Sequence, residues 1–150
     1  MSQSLSQIYV HLIFSTKSRR PILEDEIREN IHDAIRGSLI AAKCRPFIVN
    51  SIEDHVHSLF DLSRTSTLSK VVHRIKVATN PLIQAHSPNI TDGIWQGGYA
   101  AFSVSQSQID RVIRYIANQR EHHSKRSFQD ELRSLLELYN VHFDERYLWE

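Results

Sequence analysis

The chain has 150 residues, of which 41% are hydrophobic and 23% are charged, as is typical of an ordinary soluble protein. This length suits one domain with a substantial buried core, and we predict a single domain over residues 1–150. The net charge of +1 excludes a strong overall electrostatic attraction to a polyanionic partner, although a local basic patch is still possible. The single cysteine excludes an internal disulfide and a cysteine-based zinc site.

Hydrophobic periodicity predicts strands and helices in the order β-α-β-β-α-β-α-α. The predicted strands cover residues 7–16, 46–53, 54–62 and 99–104. The predicted helices cover residues 23–43, 68–85, 107–122 and 127–139. Pro81 is expected to kink or shorten the second helix, because proline lacks the backbone donor that a helix interior needs.

The first six elements correspond to the split βαβ, ferredoxin-like or RRM-like arrangement, an α+β fold with an antiparallel sheet and helices on one face. The last two helices are additions at the C-terminal end. The opposite face of such a sheet is often open and serves as a platform for ligands or nucleic acid. Alternation along the first strand separates two sets of side chains, namely Val10, Leu12 and Phe14 on one face and Tyr9, His11 and Ile13 on the other.

Two histidines on the third predicted strand form a candidate metal site. Residues i and i+2 of a strand point to the same face, so His55 and His57 present two imidazoles side by side while Val56 points into the core. Because the chain contains nine histidines, such a pair also arises by chance, and two ordinary strand histidines are the plain alternative.

A tyrosine and a glutamine on the next-to-last predicted helix form the second part of the candidate site. Tyr115 and Gln119 are four residues apart and share one helix face, which is polar and lies between Arg114 and Arg120. Two imidazoles and an amide oxygen, without a thiolate, suit a hard or borderline divalent ion that keeps open positions. Taken alone, Tyr115 is better explained as a core or interface aromatic residue at the edge of a helix.

Five motifs occur in order at compatible spacing along essentially the whole chain. They are the opening segment 15–21, His55-Val56-His57, Trp95-Gln96-Gly97-Gly98-Tyr99, Tyr115-Ile-Ala-Asn-Gln119 and Asp144-Glu-Arg-Tyr-Leu-Trp149. In these motifs the sequence resembles the single-tyrosine HUH transposases of the smallest bacterial insertion sequences, the TnpA type of the IS200-like family.

The resemblance implies an enzyme that cuts and rejoins single-stranded DNA in DNA transposition. Tyr115 would be the nucleophile that becomes linked to the DNA 5′ end through a phosphotyrosine. His55, His57 and Gln119 would hold Mg²⁺ or Mn²⁺, which polarises the scissile phosphate.

The resemblance also implies a homodimer in which each site is shared between two subunits, with apolar side chains of the first strand and the tail as interface material. The DNA, which we expect to contain hairpins, would be contacted by basic residues, namely Lys17, Arg19, Arg20, Lys70, Arg74, Arg114 and Arg120. No apolar run reaches the ~18–20 residues that span a bilayer, and no signal peptide is recognisable, so we expect no membrane contact and a bacterial cytoplasmic, nucleoid-associated activity.

Two alternatives remain at this point. A related HUH nuclease could use the same residues for a host task, such as the processing of palindromic repeats in the genome. A ferredoxin-like nucleic-acid-binding module without catalysis would require Tyr115 to lie far from the two histidines.

Overall fold

The computed structural model describes residues 2–149, so the two terminal residues of the predicted domain lie outside it. The strands are β1 (Tyr9–Ser15), β2 (Arg45–Ser51), β3 (His55–Asp61) and β4 (Ala100–Val104). The helices are α1 (Asp25–Ala41), α2 (Leu68–His86), α3 (Ile109–Ala117), α4 (Gln119–His123), α5 (Phe128–Leu138) and α6 (Glu145–Leu148). Short 3-10 turns at Lys17–Arg19 and Gln106–Gln108 precede α1 and α3.

The four strands form one antiparallel sheet in the order β2-β3-β1-β4. The predicted ferredoxin-like α+β fold is therefore confirmed. Strand β3 has a hydrogen-bonded neighbour on each side, and its register with β1 pairs Ser15 with His55 and Ile13 with His57. A central strand that is held on both sides gives the two histidines a rigid support.

One face of the sheet packs against α1 and α2, as the alternation along β1 predicts. Val10, Leu12 and Phe14 join the same buried cluster as Ile35 of α1 and Ile75 of α2. The hydrophobic stripes of the two helices thus close the main core.

The other face of the sheet is not open, which corrects the sequence-based expectation. Helix α3 covers part of it, with Ile116 in the same buried cluster as Tyr9, and α5 covers another part, with Leu132 in the same buried cluster as Ile13. Both helices are amphipathic and bury their apolar stripes against this face. All seven residues of β1 are buried, so this strand offers no exposed interface material within the chain.

Two helices depart from the sequence-based expectation by more than a few terminal residues or at a predicted interruption. Helix α2 is not shortened at Pro81 but continues to His86, because Ile83, beyond the proline, is fully buried in the core and holds the last turn in place. The predicted helix over residues 107–122 is instead interrupted at Asn118, between α3 and α4. None of the helices in residues 2–149 is long and apolar enough to cross a membrane.

Candidate active site

Strand β3 places His55 and His57 on the face of the sheet opposite α1 and α2, with both side chains fully buried. Val56 lies between them and points into the main core. The observed orientation follows from the two-residue period of a strand. The two imidazoles therefore lie between the sheet and the C-terminal helices, with ring centroids 5.1 Å apart.

Each of these histidines has a polar partner on its Nδ1 atom. His55 Nδ1 lies 2.7 Å from an oxygen of Asp54, and His57 Nδ1 lies 2.8 Å from Nε2 of His11. Burial, followed by the proximity of His57, lowers the pKa of His11 to about 3, so His11 is neutral. Such partners fix ring orientation and direct Nε2 of His55 and His57 towards the same space.

Helix α5 brings a buried carboxylate into this space. Oε1 of Glu131 lies 2.9 Å from Nε2 of His57, 3.1 Å from Nε2 of His123 and 3.3 Å from Nε2 of His55. Burial alone would raise the pKa of Glu131, but the three imidazoles hold it well below its usual value. Glu131 is therefore an anion whose burial is tolerated because its oxygens are paired.

The pKa values of the two strand histidines shift in opposite directions. Burial lowers the pKa of His57 to about 4, against the opposing influence of Glu131. For His55 the effect of burial is outweighed by the hydrogen bonds to Asp54 and Glu131, which raise the pKa above its usual value.

Tyr115 and Gln119 reach the same cluster from α3 and α4. The phenolic hydroxyl of Tyr115 and the amide nitrogen of Gln119, the latter at 3.2 Å, donate to Oε2 of Glu131. The amide oxygen of Gln119 lies 3.4 Å from Nε2 of His55. Burial and the Glu131 carboxylate raise the pKa of Tyr115, which keeps the phenol protonated in this arrangement.

The interruption of the helix at Asn118 does not separate these two residues. The side-chain amide of Asn50, on β2, donates to the carbonyl oxygens of Ile116 and Ala117, at 2.7 and 3.3 Å. These carbonyls lie at the end of α3, where a helix leaves acceptors unpaired. The interruption is thus fixed to the sheet.

The cluster has the composition and spacing of a divalent metal site. His55, His57, His123 and Glu131 each offer a ligand atom, and these atoms all lie within 4.8 Å of one another. Imidazole nitrogens and carboxylate or amide oxygens suit borderline divalent ions. The sequence predicts the first two of these residues as ligands, together with Gln119, but it does not predict His123 or Glu131.

Comparisons with known proteins identify the family of this chain. A family model described as "Transposase IS200 like" matches residues 4–119. The chain belongs to this family. The matched region ends at Gln119, so His123 and Glu131 lie beyond it. Membership supports DNA cleavage and strand transfer as the general activity.

Individual relatives are distant. The ISDra2 transposase TnpA of Deinococcus radiodurans is 22% identical over 120 residues, which cover 77% of this chain and 86% of that protein. A crystal structure of a candidate transposase from Deinococcus radiodurans is 22% identical, with a TM-score of 0.61 over 79% of this chain and 98% of that one. A REP-associated tyrosine transposase bound to a REP hairpin is 14% identical, with a TM-score of 0.61 over 82% and 74%. At these identities the two structures show a shared fold.

Three of the basic residues that the sequence predicts as DNA contacts form ion pairs with acidic residues of this chain. Lys17 and Arg20 pair with Asp92 at 3.6 and 2.7 Å, and Arg120 pairs with Asp25 at 2.8 Å. These pairs reduce the positive charge that these residues present to a phosphate.

The other four predicted contacts are arranged differently. The Arg19 guanidinium lies 5.7 Å from the ring centroid of Trp149. Lys70 and Arg74 are exposed on α2, and Arg114 is exposed on α3. Within residues 2–149, none of these four has an acidic partner within salt-bridge distance.

Proposed function

We propose that this chain cleaves and rejoins single-stranded DNA through a covalent 5′-phosphotyrosine intermediate at Tyr115. The observation that carries the proposal is the convergence of Tyr115, His55, His57 and Gln119 on one site between the sheet and the C-terminal helices. A nucleic-acid-binding module without catalysis would not require these four side chains to lie together. Family membership supports the same general activity.

His55, His57 and Gln119 would hold Mg²⁺ or Mn²⁺. When bound, this ion polarises the scissile phosphate and offsets negative charge that develops in the transition state. The protein orients the ligands through Asp54 and His11, whose contacts with the Nδ1 atoms leave the Nε2 atoms directed into the site.

Tyr115 supplies the nucleophile. A new bond forms between its phenolic oxygen and the phosphorus, and the bond from the phosphorus to the 3′ oxygen of the preceding nucleotide breaks. The phenolic proton is lost and the leaving 3′ oxygen gains one, so the step balances without a co-reactant. A second 3′-OH reverses the reaction on the phosphotyrosine, because the covalent link conserves the phosphodiester bond energy.

A DNA hairpin in a single strand is the substrate that we propose. The related REP-associated transposase binds a REP hairpin, and the exposed Lys70, Arg74 and Arg114 give this chain cationic groups for a phosphate backbone. Such a substrate would place the activity at the bacterial nucleoid.

The arrangement of subunits is a separate part of the proposal. The resemblance implies a homodimer with shared sites, whereas one chain here brings Tyr115 within 6.0 Å of His57, measured between ring centroids. We propose that the enzyme acts in this cis arrangement, with Tyr115 and the two histidines of each site supplied by the same chain, whether or not a second copy is bound.

The direct experiment is incubation of the protein with single-stranded DNA from its own genomic flanks, with and without Mn²⁺, followed by denaturing electrophoresis. We expect a protein–DNA adduct that survives denaturation and requires the ion. If no adduct forms with any flanking strand, the transposase chemistry is contradicted. An adduct of equal yield in the presence of a chelator contradicts the metal assignment alone.

A further inference from the structure

One carboxylate oxygen of Glu131 lies close to the Nε2 atoms of three histidines. This atom, Oε1, lies 2.9, 3.1 and 3.3 Å from Nε2 of His57, His123 and His55. A divalent ion with bonds of about 2.0–2.2 Å holds neighbouring ligand atoms roughly 3 Å apart. The three distances are thus close to those between neighbouring ligands of one bound ion.

This cluster leaves no room for a substrate. The side chains of His55, His57 and Glu131 are fully buried, and that of His123 is 6% exposed. The ring of Phe128, also on α5, stacks on His55 with the centroids 4.3 Å apart. A phosphodiester within a DNA strand therefore cannot reach the histidines while α5 is in place.

Glu131 also holds the nucleophile. Its second oxygen accepts the hydroxyl of Tyr115, so a single side chain from α5 contacts both the candidate ligands and the candidate nucleophile. A carboxylate resembles a phosphodiester in presenting anionic oxygens to cationic or metal-bound partners. Glu131 makes the contacts that a substrate phosphate would have to make.

The element that can move is α5 rather than the sheet. Strand β3 is hydrogen-bonded through its backbone to a neighbour on each side, whereas α5 is held against the sheet by side chains. These are the apolar stripe of Phe128, Leu132 and Leu136, together with Glu131. Side-chain packing of one amphipathic helix is released more readily than a central strand.

We propose that Glu131 is a displaceable ligand of the metal, in addition to His55, His57 and Gln119, and that α5 must withdraw it before a DNA phosphate can bind. His123, which contacts the same oxygen of Glu131, is a further ligand. This inference rests on the proposed function, because it assumes that the cluster holds the metal that serves DNA cleavage. It adds two ligands beyond the matched family region and assigns α5 the role of a removable cap.

The first test measures metal binding without DNA, so that it is independent of the proposed cleavage. Co²⁺ is titrated into chelator-treated protein, and the affinity is measured from the change in visible absorption when the ion binds. We expect Glu131→Gln to weaken binding by at least about tenfold. Glu137→Gln, the same change at an exposed position of α5, is the matched control and should behave as wild type.

The second test asks whether the ligand is displaceable. At saturating Mn²⁺, a single-stranded oligonucleotide should bind Glu131→Gln more tightly than wild type, because the competing carboxylate is gone. Circular dichroism of each variant establishes that it is folded, and His123→Ala provides a second ligand variant that should also weaken Co²⁺ binding.

Two results would overturn the inference: unchanged Co²⁺ affinity in Glu131→Gln, or weaker oligonucleotide binding by the variant. The absence of a DNA adduct together with Co²⁺ binding that depends on Glu131 would instead contradict the proposed function and leave the ligand assignment standing.

Discussion

Tyr115 donates its phenolic hydroxyl to Glu131, sixteen residues further along the chain. The contact joins α3 to α5 across the face of the sheet that carries His55 and His57. It brings the candidate nucleophile to the candidate metal ligands within a single chain, and it also keeps that nucleophile protonated and covered. The structure therefore combines the parts of a cleavage site with a contact that restrains them.

Replacing Tyr115 by phenylalanine should abolish the covalent adduct, because phenylalanine has no oxygen to attack phosphorus. The loss of its hydrogen bond to a buried carboxylate should also lower the free energy of unfolding, by about 1–3 kcal/mol. Adducts are measured by denaturing electrophoresis and stability by urea unfolding. Tyr147→Phe, at a residue that is 64% exposed, is the control that should retain adduct formation. Nicking that persists in Tyr115→Phe would contradict the assigned role.

Replacing His57 by alanine should remove cleavage but leave DNA binding. A Lewis acid contributes several kcal/mol to the stabilisation of a transition state, so we expect adduct formation to fall by at least about a hundredfold. Fluorescence anisotropy with a labelled hairpin oligonucleotide measures the retained binding. His142→Ala, in the exposed segment after α5, is the control for the loss of an imidazole. A variant that loses binding and cleavage together would indicate a structural role for His57.

The arrangement of subunits is tested by combining Tyr115→Phe and His57→Ala in one preparation. The two variants are co-expressed with different tags, and assemblies that carry both tags are purified and assayed for the adduct. Because one chain brings both residues together, we expect no recovery of activity. Recovery of a substantial part of the wild-type yield would show that tyrosine and histidines from different subunits act together, as the family resemblance implies.

The sequence correctly predicts the features of this protein that depend on local periodicity. The two-residue period of β3 and the four-residue spacing of Tyr115 and Gln119 put the right side chains on the right faces. The interruption at Asn118 was not foreseen, because it depends on Asn50 of another element. The order of the predicted strands and helices also predicts the fold, which the sheet order confirms.

The covered face of the sheet and the role of Glu131 could not be read from local patterns, because they depend on where α5 docks. One signal was available. Glu131 lies three residues after Phe128 and directly before Leu132, on the apolar side of α5, where an acidic residue is costly without partners. His123 is harder to recognise as a ligand from the sequence, since a histidine near the end of a helix is equally consistent with an exposed polar residue. A single carboxylate on the apolar stripe of a helix therefore predicts buried polar partners from other elements.

The contribution of basic residues to DNA binding should differ between exposed and paired positions. Lys70→Ala and Arg74→Ala should each reduce the slope of log affinity against log salt concentration by about 0.7 to 1, because each removes one phosphate contact. Arg120→Ala should change the slope less, since Arg120 is already paired with Asp25 at 2.8 Å. Binding of a hairpin oligonucleotide is measured at several salt concentrations. Equal effects at all three positions would contradict the distinction.

Acid should destabilise the fold partly through His32, a residue of α1 outside the candidate site. His32 Nε2 lies 2.8 Å from Oγ of Ser51, and burial lowers the pKa of His32 from 6.5 to about 4. Between these two values the unfolded chain binds more protons than the folded one, so stability is complete above pH 6.5 and is lost as the pH falls towards 4. The shift corresponds to about 3 kcal/mol at most.

The check is a comparison of urea unfolding for wild type and His32→Gln from pH 4 to pH 7, in the presence of a chelator. Glutamine keeps a side-chain donor near Ser51 but does not titrate, so the variant should show a flatter dependence of stability on pH. Burial also lowers the pKa of His11 and His57, to about 3 and about 4, and both contribute in the same direction in each protein. The difference between the two curves therefore isolates His32. Parallel curves would show that its protonation does not differ between the folded and unfolded states.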